Sequence, residues 1–175
     1  RLRAVGSGGR CELGPPRRPV GAGARDPDQL EWRAADAHRP VPLDGGVEPV
    51  QLLLGGPSRI TSAWARTVKR DIANACRLDL VMAYFSPPRS MRRLIRKLAQ
   101  RGKARLVMAG KSDNTTTIGA SRALYGGLLR SGAEIAEFDA CKLHLKLLVL
   151  DDVTYFGTAN FDMRSIRLNL ELMVR

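Results

Sequence analysis

One short stretch near the end of the chain carries most of its chemistry: His144-Leu145-Lys146, then Asp151, then Gly157-Thr158-Ala159-Asn160. A histidine can attack phosphorus or hand over a proton. A lysine and a carboxamide can neutralise and hydrogen-bond the non-bridging oxygens of a phosphate. These are the groups that cleavage of a phosphodiester needs when no metal takes part. Such chemistry wants two histidines, and the stretch contains one. The other histidine, His38, is followed by Arg39 and Pro40 and so lacks a lysine two places on. The second half of the machinery is therefore expected in another lobe or another chain.

The elements around these residues decide whether they form a site. On a strand, His144 and Lys146 stand two residues apart and face the same way, and Leu147-Leu148-Val149-Leu150 reads as strand interior. A His-x-Lys pair alone is more often ordinary surface. A buried lysine, however, is costly unless it meets an anion, and the downstream residues supply the rest of a pocket. Asp151 and Asp152 fall where a turn favours aspartate. Gly157 permits close backbone approach, while Thr158 and Asn160 bring a hydroxyl and a carboxamide back to the same place. Glu171 is an acid inside the apolar run 168–174. A carboxylate buried there needs a partner, for which a histidine ring nitrogen is suited.

Residues 1–47, rich in Gly, Pro, Arg and Ala, read as a linker or disordered arm, with a short helix possible at 28–35. Residues 48–175 read as one domain of alternating signals. Strands are expected at 50–54, 78–85, 104–109, 134–138, 143–150, 154–157 and 168–174. Helices are expected at 61–76, 89–100 and 120–129, the first from the spacing of Ile60, Trp64, Val68 and Ile72. The alternation predicts an α/β sandwich with a mixed, mostly parallel sheet.

The chain has 175 residues and a formal net charge of +12; from residue 41 onward Lys and Arg outnumber acids 21 to 12. That balance favours anionic partners, lipid headgroups or nucleic acid, without choosing between them. Three widely spaced cysteines, Cys11, Cys76 and Cys141, make no disulfide framework, and with two histidines a zinc site is not expected. They read as reduced thiols. No apolar run is long enough to span a bilayer. Gly110-Lys111-Ser112 is similar to the end of a phosphate-binding loop, but Arg105 stands where that motif requires glycine. Lys111 remains a candidate contact for an anionic headgroup. The run 91–98 is a basic amphipathic helix, either core-packed with a solvated face or touching an anionic membrane.

The spacing His-x-Lys, four residues, Asp, then Gly-Thr-x-Asn resembles the HKD motif of the phospholipase D superfamily. Five residues separate Asp151 from Gly157 where the commonest form has six, a deletion that shortens the turn. Phe161-Asp162-Met163-Arg164-Ser165, Asn169-Leu170-Glu171, Ala83-Tyr84-Phe85-Ser86-Pro87 and Gly110-Lys111-Ser112-Asp113 extend the resemblance to the second half of cardiolipin synthases. It covers roughly residues 48–175. The resemblance implies a phospholipase D-like lobe acting as a phosphatidyltransferase, with a phospholipase-type hydrolase or a dimeric nuclease as alternatives. It implies His144 as nucleophile or acid, Lys146 and Asn160 as phosphate ligands, and Thr158 and Gly157 in support. Glu171 would hold the His144 ring, Asp151 would be structural, and Tyr84 and Lys111 would touch substrate. No metal or cofactor is implied. The partners are anionic phospholipid such as phosphatidylglycerol, a membrane surface on its cytoplasmic side, and a second HKD lobe or homodimer partner. The chain opens on Arg1 and closes just after the Glu171 strand. Packing elements and any anchoring segment are expected beyond these ends.

Overall fold

The computed structural model describes residues 2–4, 40–41, 50–57 and 62–175. The expected helix at 28–35, His38 and most of the expected arm lie outside these residues. Within the arm, two short strands are described, β1 (Leu2–Ala4) and β2 (Pro40–Val41). From residue 50 the order is β3 (Val50–Gly55), α1 (Ala63–Asn74), β4 (Arg77–Met82), α2 (Arg89–Arg101), β5 (Lys103–Ala109), α3 (Thr115–Leu129) and β6 (Glu134–Phe138). Then come β7 (Lys146–Leu150), β8 (Val153–Gly157), α4 (Met163–Arg167) and β9 (Glu171–Val174). The described strands form one sheet in the order β1-β6-β5-β4-β7-β8-β9-β3-β2.

The sheet is mixed, as the alternation predicts, but parallel pairing is confined to β4-β5 and β5-β6. The expectation of a mostly parallel sheet is corrected accordingly. Helices α2 and α3 join those three neighbouring strands, whereas α1 carries the chain from β3 to β4, which are not paired. The two-residue turn at Asp151–Asp152 forces β7 and β8 antiparallel, and β9, β3 and β2 continue in that sense.

One face of the sheet carries the core. Leu53, Leu78, Leu80, Met82, Leu106, Met108, Leu148, Tyr155 and Met173 are buried there with helical side chains such as Trp64, Val68, Ile72, Met91, Ile95 and Leu98. The helical spacing of those residues, at intervals of three and four, explains why α1 and α2 form and which way they turn. The alternate strand residues, among them Val81, Leu147, Phe156 and Leu172, are half-buried or exposed.

Two polar clusters tie distant parts of the chain to this frame. The Asp151 carboxylate, on a residue with φ of 48°, accepts the backbone N–H groups of Cys76 and Arg77 at 2.8–3.2 Å. It bolts the β7–β8 turn to the start of β4. Farther along, Asp71 accepts a hydrogen bond from the Tyr155 hydroxyl at 2.5 Å and another from Arg175 Nε at 2.9 Å. Burial alone would raise the Asp71 carboxyl, but these donors and the Arg175 charge hold it below its ordinary value of 3.8.

Several boundaries differ from expectation for local reasons. Helix α3 starts at Thr115 rather than near 120. Its N-cap Asn114 accepts the Thr116 N–H and so overrides three β-branched threonines. The last strand begins at Glu171, not 168, because residues 163–167 fold into α4, capped by Asp162 accepting the Ser165 N–H. Strand β7 begins at Lys146, so His144 lies before the strand, not on it. The ladder stops there because its neighbour β4 ends at Met82, which pairs with Lys146. One further bond, Ala83 N–H to the Leu145 carbonyl, closes it.

Candidate active site

All the proposed site residues but Asp151 sit at one rim of the sheet, and the topology explains why. The C-terminal ends of β4, β5 and β8 lie at this rim together with the starts of the antiparallel strands β7 and β9. Lys146 opens β7, Gly157 closes β8 and Glu171 opens β9. Tyr84 follows β4, and Lys111 follows β5. In open α/β sheets the carboxyl ends of parallel strands are where ligands gather.

The residues connect around that rim. Lys146 is buried, at 7 % exposure, and its Nζ donates to the His144 carbonyl at 2.9 Å. Burial pushes the Lys146 ammonium below its usual range, and the Glu171 charge opposes that push. Glu171, 8 % exposed, is held on both oxygens. Thr158 Oγ1 donates to Oε2 at 2.5 Å, and Asn169 Nδ2 donates to Oε1 at 3.2 Å. The Thr158 hydroxyl also accepts the Leu172 N–H at 3.0 Å, so it joins β8 to β9 twice.

Gly157 packs directly against the backbone of β9. A Cβ there would meet the Leu172 carbonyl oxygen at 2.1 Å. Beyond it, the Asn160 N–H donates to the buried Ser165 Oγ at 3.1 Å, which fixes the residue at the mouth of α4. Asn160 Oδ1 is buried and has no partner among the described residues. The next residue, Phe161, bridges to Phe85 and accepts the Ser86 N–H at 2.7 Å. Phe161 lies between Trp64 and Phe85, stacked on both with centroids 6.2 and 6.4 Å apart. This aromatic floor supports the loops after β4 and β8. The ring of contacts closes at Tyr84, whose ring stands nearly perpendicular to that of His144 with centroids 6.4 Å apart.

The structure therefore brings His144, Lys146, Gly157, Thr158, Asn160, Glu171 and Tyr84 together. It corrects two expectations about them. His144 is exposed at the rim rather than on a buried strand. No hydrogen bond joins Glu171 to His144 among the described residues; the Glu171 carboxylate serves Thr158, Asn169 and the Lys146 charge. Asp151 lies at the opposite rim, where its carboxylate is spent on backbone N–H groups. Lys111 is exposed two residues after the end of β5, with no hydrogen bond or ion pair to the other site residues among the described residues. Asn169 was not singled out by its chemistry; it lies in the bend between α4 and β9, from which its side chain reaches Glu171. The aromatic floor was also missed. Its three residues, Trp64, Phe85 and Phe161, are far apart in sequence and only topology assembles them.

A histidine, a buried lysine, a hydroxyl and a carboxamide on one rim of a mixed α/β sheet define a phospholipase D-like domain. Residues 68–175 match the family model described as cardiolipin synthase, PLD-like domain, and the chain belongs to that family. It is 32% identical over 150 residues to a probable cardiolipin synthase, YwiE, of Bacillus subtilis, covering 84% of this chain and 29% of the relative. It is 35% identical over 126 residues to cardiolipin synthase 2 of Bacillus cereus, covering 70% of this chain and 24% of that one. The chain thus spans less than a third of these relatives' length. Among solved structures, the phospholipase D family member Nuc from Salmonella typhimurium shares the fold, with a TM-score of 0.59 at 20% identity over 71% of this chain and 80% of that chain.

Proposed function

We propose that the chain supplies one half of the active site of a cardiolipin synthase-type phosphatidyltransferase. The observation that carries this reading is the closed ring at one rim, in which Lys146, Thr158, Asn160 and Glu171 converge beside His144. In the first step one histidine attacks the phosphorus of phosphatidylglycerol. A nitrogen–phosphorus bond forms, the bond to the glycerol headgroup oxygen breaks, and the second histidine protonates that oxygen. In the second step the hydroxyl of another phosphatidylglycerol attacks the phosphohistidine, giving up its proton to the second histidine and restoring both.

His144 takes one of these two roles, and its exposure at the rim suits either. Lys146 and the Asn160 carboxamide bind the non-bridging oxygens as charge develops on them. The Asn160 Nδ2–H groups are the donors for those oxygens, while its buried Oδ1, an acceptor with no partner among the described residues, takes a donor from the second half-site. The lowered affinity of buried Lys146 for its proton is offset when a phosphate enters. Glu171 and Thr158 are positioning residues. They steady the Lys146 charge and hold β8 against β9, so that Asn160 stays in reach. Tyr84 packs the His144 ring, and Lys111 reaches for a headgroup from the neighbouring strand.

The second HKD half comes from another lobe of the same protein or from a homodimer partner. The site of action is the surface of a membrane, on its cytoplasmic side. No helix among the described residues is long and apolar enough to cross a bilayer.

Incubation of the full-length protein with labelled phosphatidylglycerol tests the reading. Cardiolipin with release of free glycerol is the expected outcome. Phosphatidic acid as the main product would instead make water the acceptor and the protein a hydrolase. Cleavage of DNA in chelator without lipid turnover would make it a nuclease.

A further inference from the structure

A groove of about 380 Å³ lies between α2 and α3, apart from the HKD rim, and five arginines line it: Arg89, Arg92, Arg93, Arg96 and Arg130. Helix α2 holds six Lys or Arg among its thirteen residues and no acid, and α3 has no acid either. Among the described residues none of the five has a carboxylate partner, whereas the nearby Arg122 is committed to Glu137 at 2.8 Å. Arg92 Nε is buried with no hydrogen-bond partner among the described residues. Arg96 is pinned in place by Ser131 Oγ at 3.0 Å, itself bonded to the Gly127 carbonyl. Gly127 leaves open space where a side chain would stand.

Five guanidinium groups around one concavity repel each other, and a buried, unpaired guanidinium nitrogen costs stability. An anion relieves both costs, and the planar fork of arginine fits a phosphate. The α3 side of the groove adds apolar lining from Ala123, Leu124 and Leu128. Phosphate-binding groups beside an apolar lining suit an amphiphile. No aromatic side chain lines the groove, so it lacks the stacking platform that single-stranded nucleic acids use. A volume of this size takes one headgroup.

We propose that this groove is a second lipid site, binding the phosphate headgroup of an anionic glycerophospholipid that is not turned over and docking α2 on the membrane. The choice of a lipid rests on the phosphatidyl-transfer reading; the phosphate chemistry does not.

The test is sedimentation of the 175-residue chain with phosphatidylcholine vesicles, with and without phosphatidylglycerol. Arg89→Gln/Arg93→Gln should weaken binding to the anionic vesicles by about 25-fold, two surface charges each contributing about fivefold. Gly127→Leu, which fills the groove without altering charge, should also weaken it. The control Lys97→Gln/Lys103→Gln removes two exposed charges outside the groove and should have a much smaller effect. Unchanged thermal melts establish that the variants are folded.

Equal weakening by the control pair overturns the proposal in favour of diffuse surface charge. Unaltered binding in Gly127→Leu overturns the groove as the seat. If the arginine pair loses affinity for a single-stranded oligonucleotide but not for vesicles, the groove is a nucleic-acid site and the proposal fails. Turnover of a soluble short-chain phosphatidylglycerol by the full-length protein separates the two readings. It should be unaltered in the arginine pair, and its absence in the wild type would sink the transfer reading while leaving the vesicle result to judge the groove.

Discussion

Thr158→Val is the most informative single perturbation of the rim, because valine keeps the shape and removes the hydroxyl. That hydroxyl donates to the Glu171 carboxylate at 2.5 Å and accepts the Leu172 N–H at 3.0 Å. A hydrogen bond to a charged group contributes about 1.5–3 kcal/mol and a neutral one about 1 kcal/mol. Thr158 is itself exposed, so solvent replaces part of this, and a net loss of about 2–3 kcal/mol is expected. For a domain of this size that lowers Tm by about 6–12 °C. Thr158→Ser keeps both bonds and should melt close to wild type. Calorimetry of the three proteins gives the values, and a double-mutant cycle with Glu171→Gln should return a coupling of about 1–2 kcal/mol. In the full-length protein, turnover should fall about tenfold in the valine variant and recover in the serine variant. If valine and serine melt together and the cycle returns no coupling, the hydroxyl bridge does not hold β8 to β9 and its positioning role is wrong.

Three further outcomes follow from the same frame. Gly157→Ala drives a methyl group into the Leu172 carbonyl and should cost about 3 kcal/mol or more, since backbone on both strands must shift; chemical denaturation measures it. Asp151→Ala strips the acceptor from two backbone N–H groups and should cost about 2–3 kcal/mol. Turnover per folded molecule should be largely spared, which urea titration and an active-site-normalised assay together can check. Asp71 is held below 3.8 when folded, so its contribution is present above that pH and is lost as pH falls through the lower folded value. Acid titration of stability should therefore fall less steeply below pH 3.8 in Asp71→Asn than in wild type.

Most of the residues gathered at the rim stand out in the sequence because they lie close together in the chain. His144 to Asn160 is one hairpin with its approaches, and strand periodicity and turn chemistry report such a unit well. Lys146 facing the core and Asp151 shaping the turn both follow from alternation and from the preference of aspartate for left-handed backbone. Residues joined only by topology were not legible. Trp64, Phe85 and Phe161 stack because β4, β8 and α1 meet at one rim, and no window of sequence contains all three. The partner of Glu171 was misassigned for a related reason. A buried carboxylate demands a donor, but composition does not say whether Thr158, Asn169 or His144 is nearer. Helix α4 was invisible because its five residues lie below the length at which periodicity becomes a signal, and its Asp162 cap is the one trace it leaves. The balance of parallel to antiparallel pairing was misjudged because alternation of strands and helices ends at β6, after which hairpins take over.

We propose His144 as one of the two histidines carrying phosphatidyl transfer. The most direct measurement is cardiolipin formation from labelled phosphatidylglycerol by the full-length protein and by its His144→Ala variant, with vesicle binding recorded on the same samples. Loss of turnover by a factor of about 1,000 or more, with binding and melting temperature retained, is the expected result. Substantial cardiolipin formation by the folded alanine variant would contradict the claim.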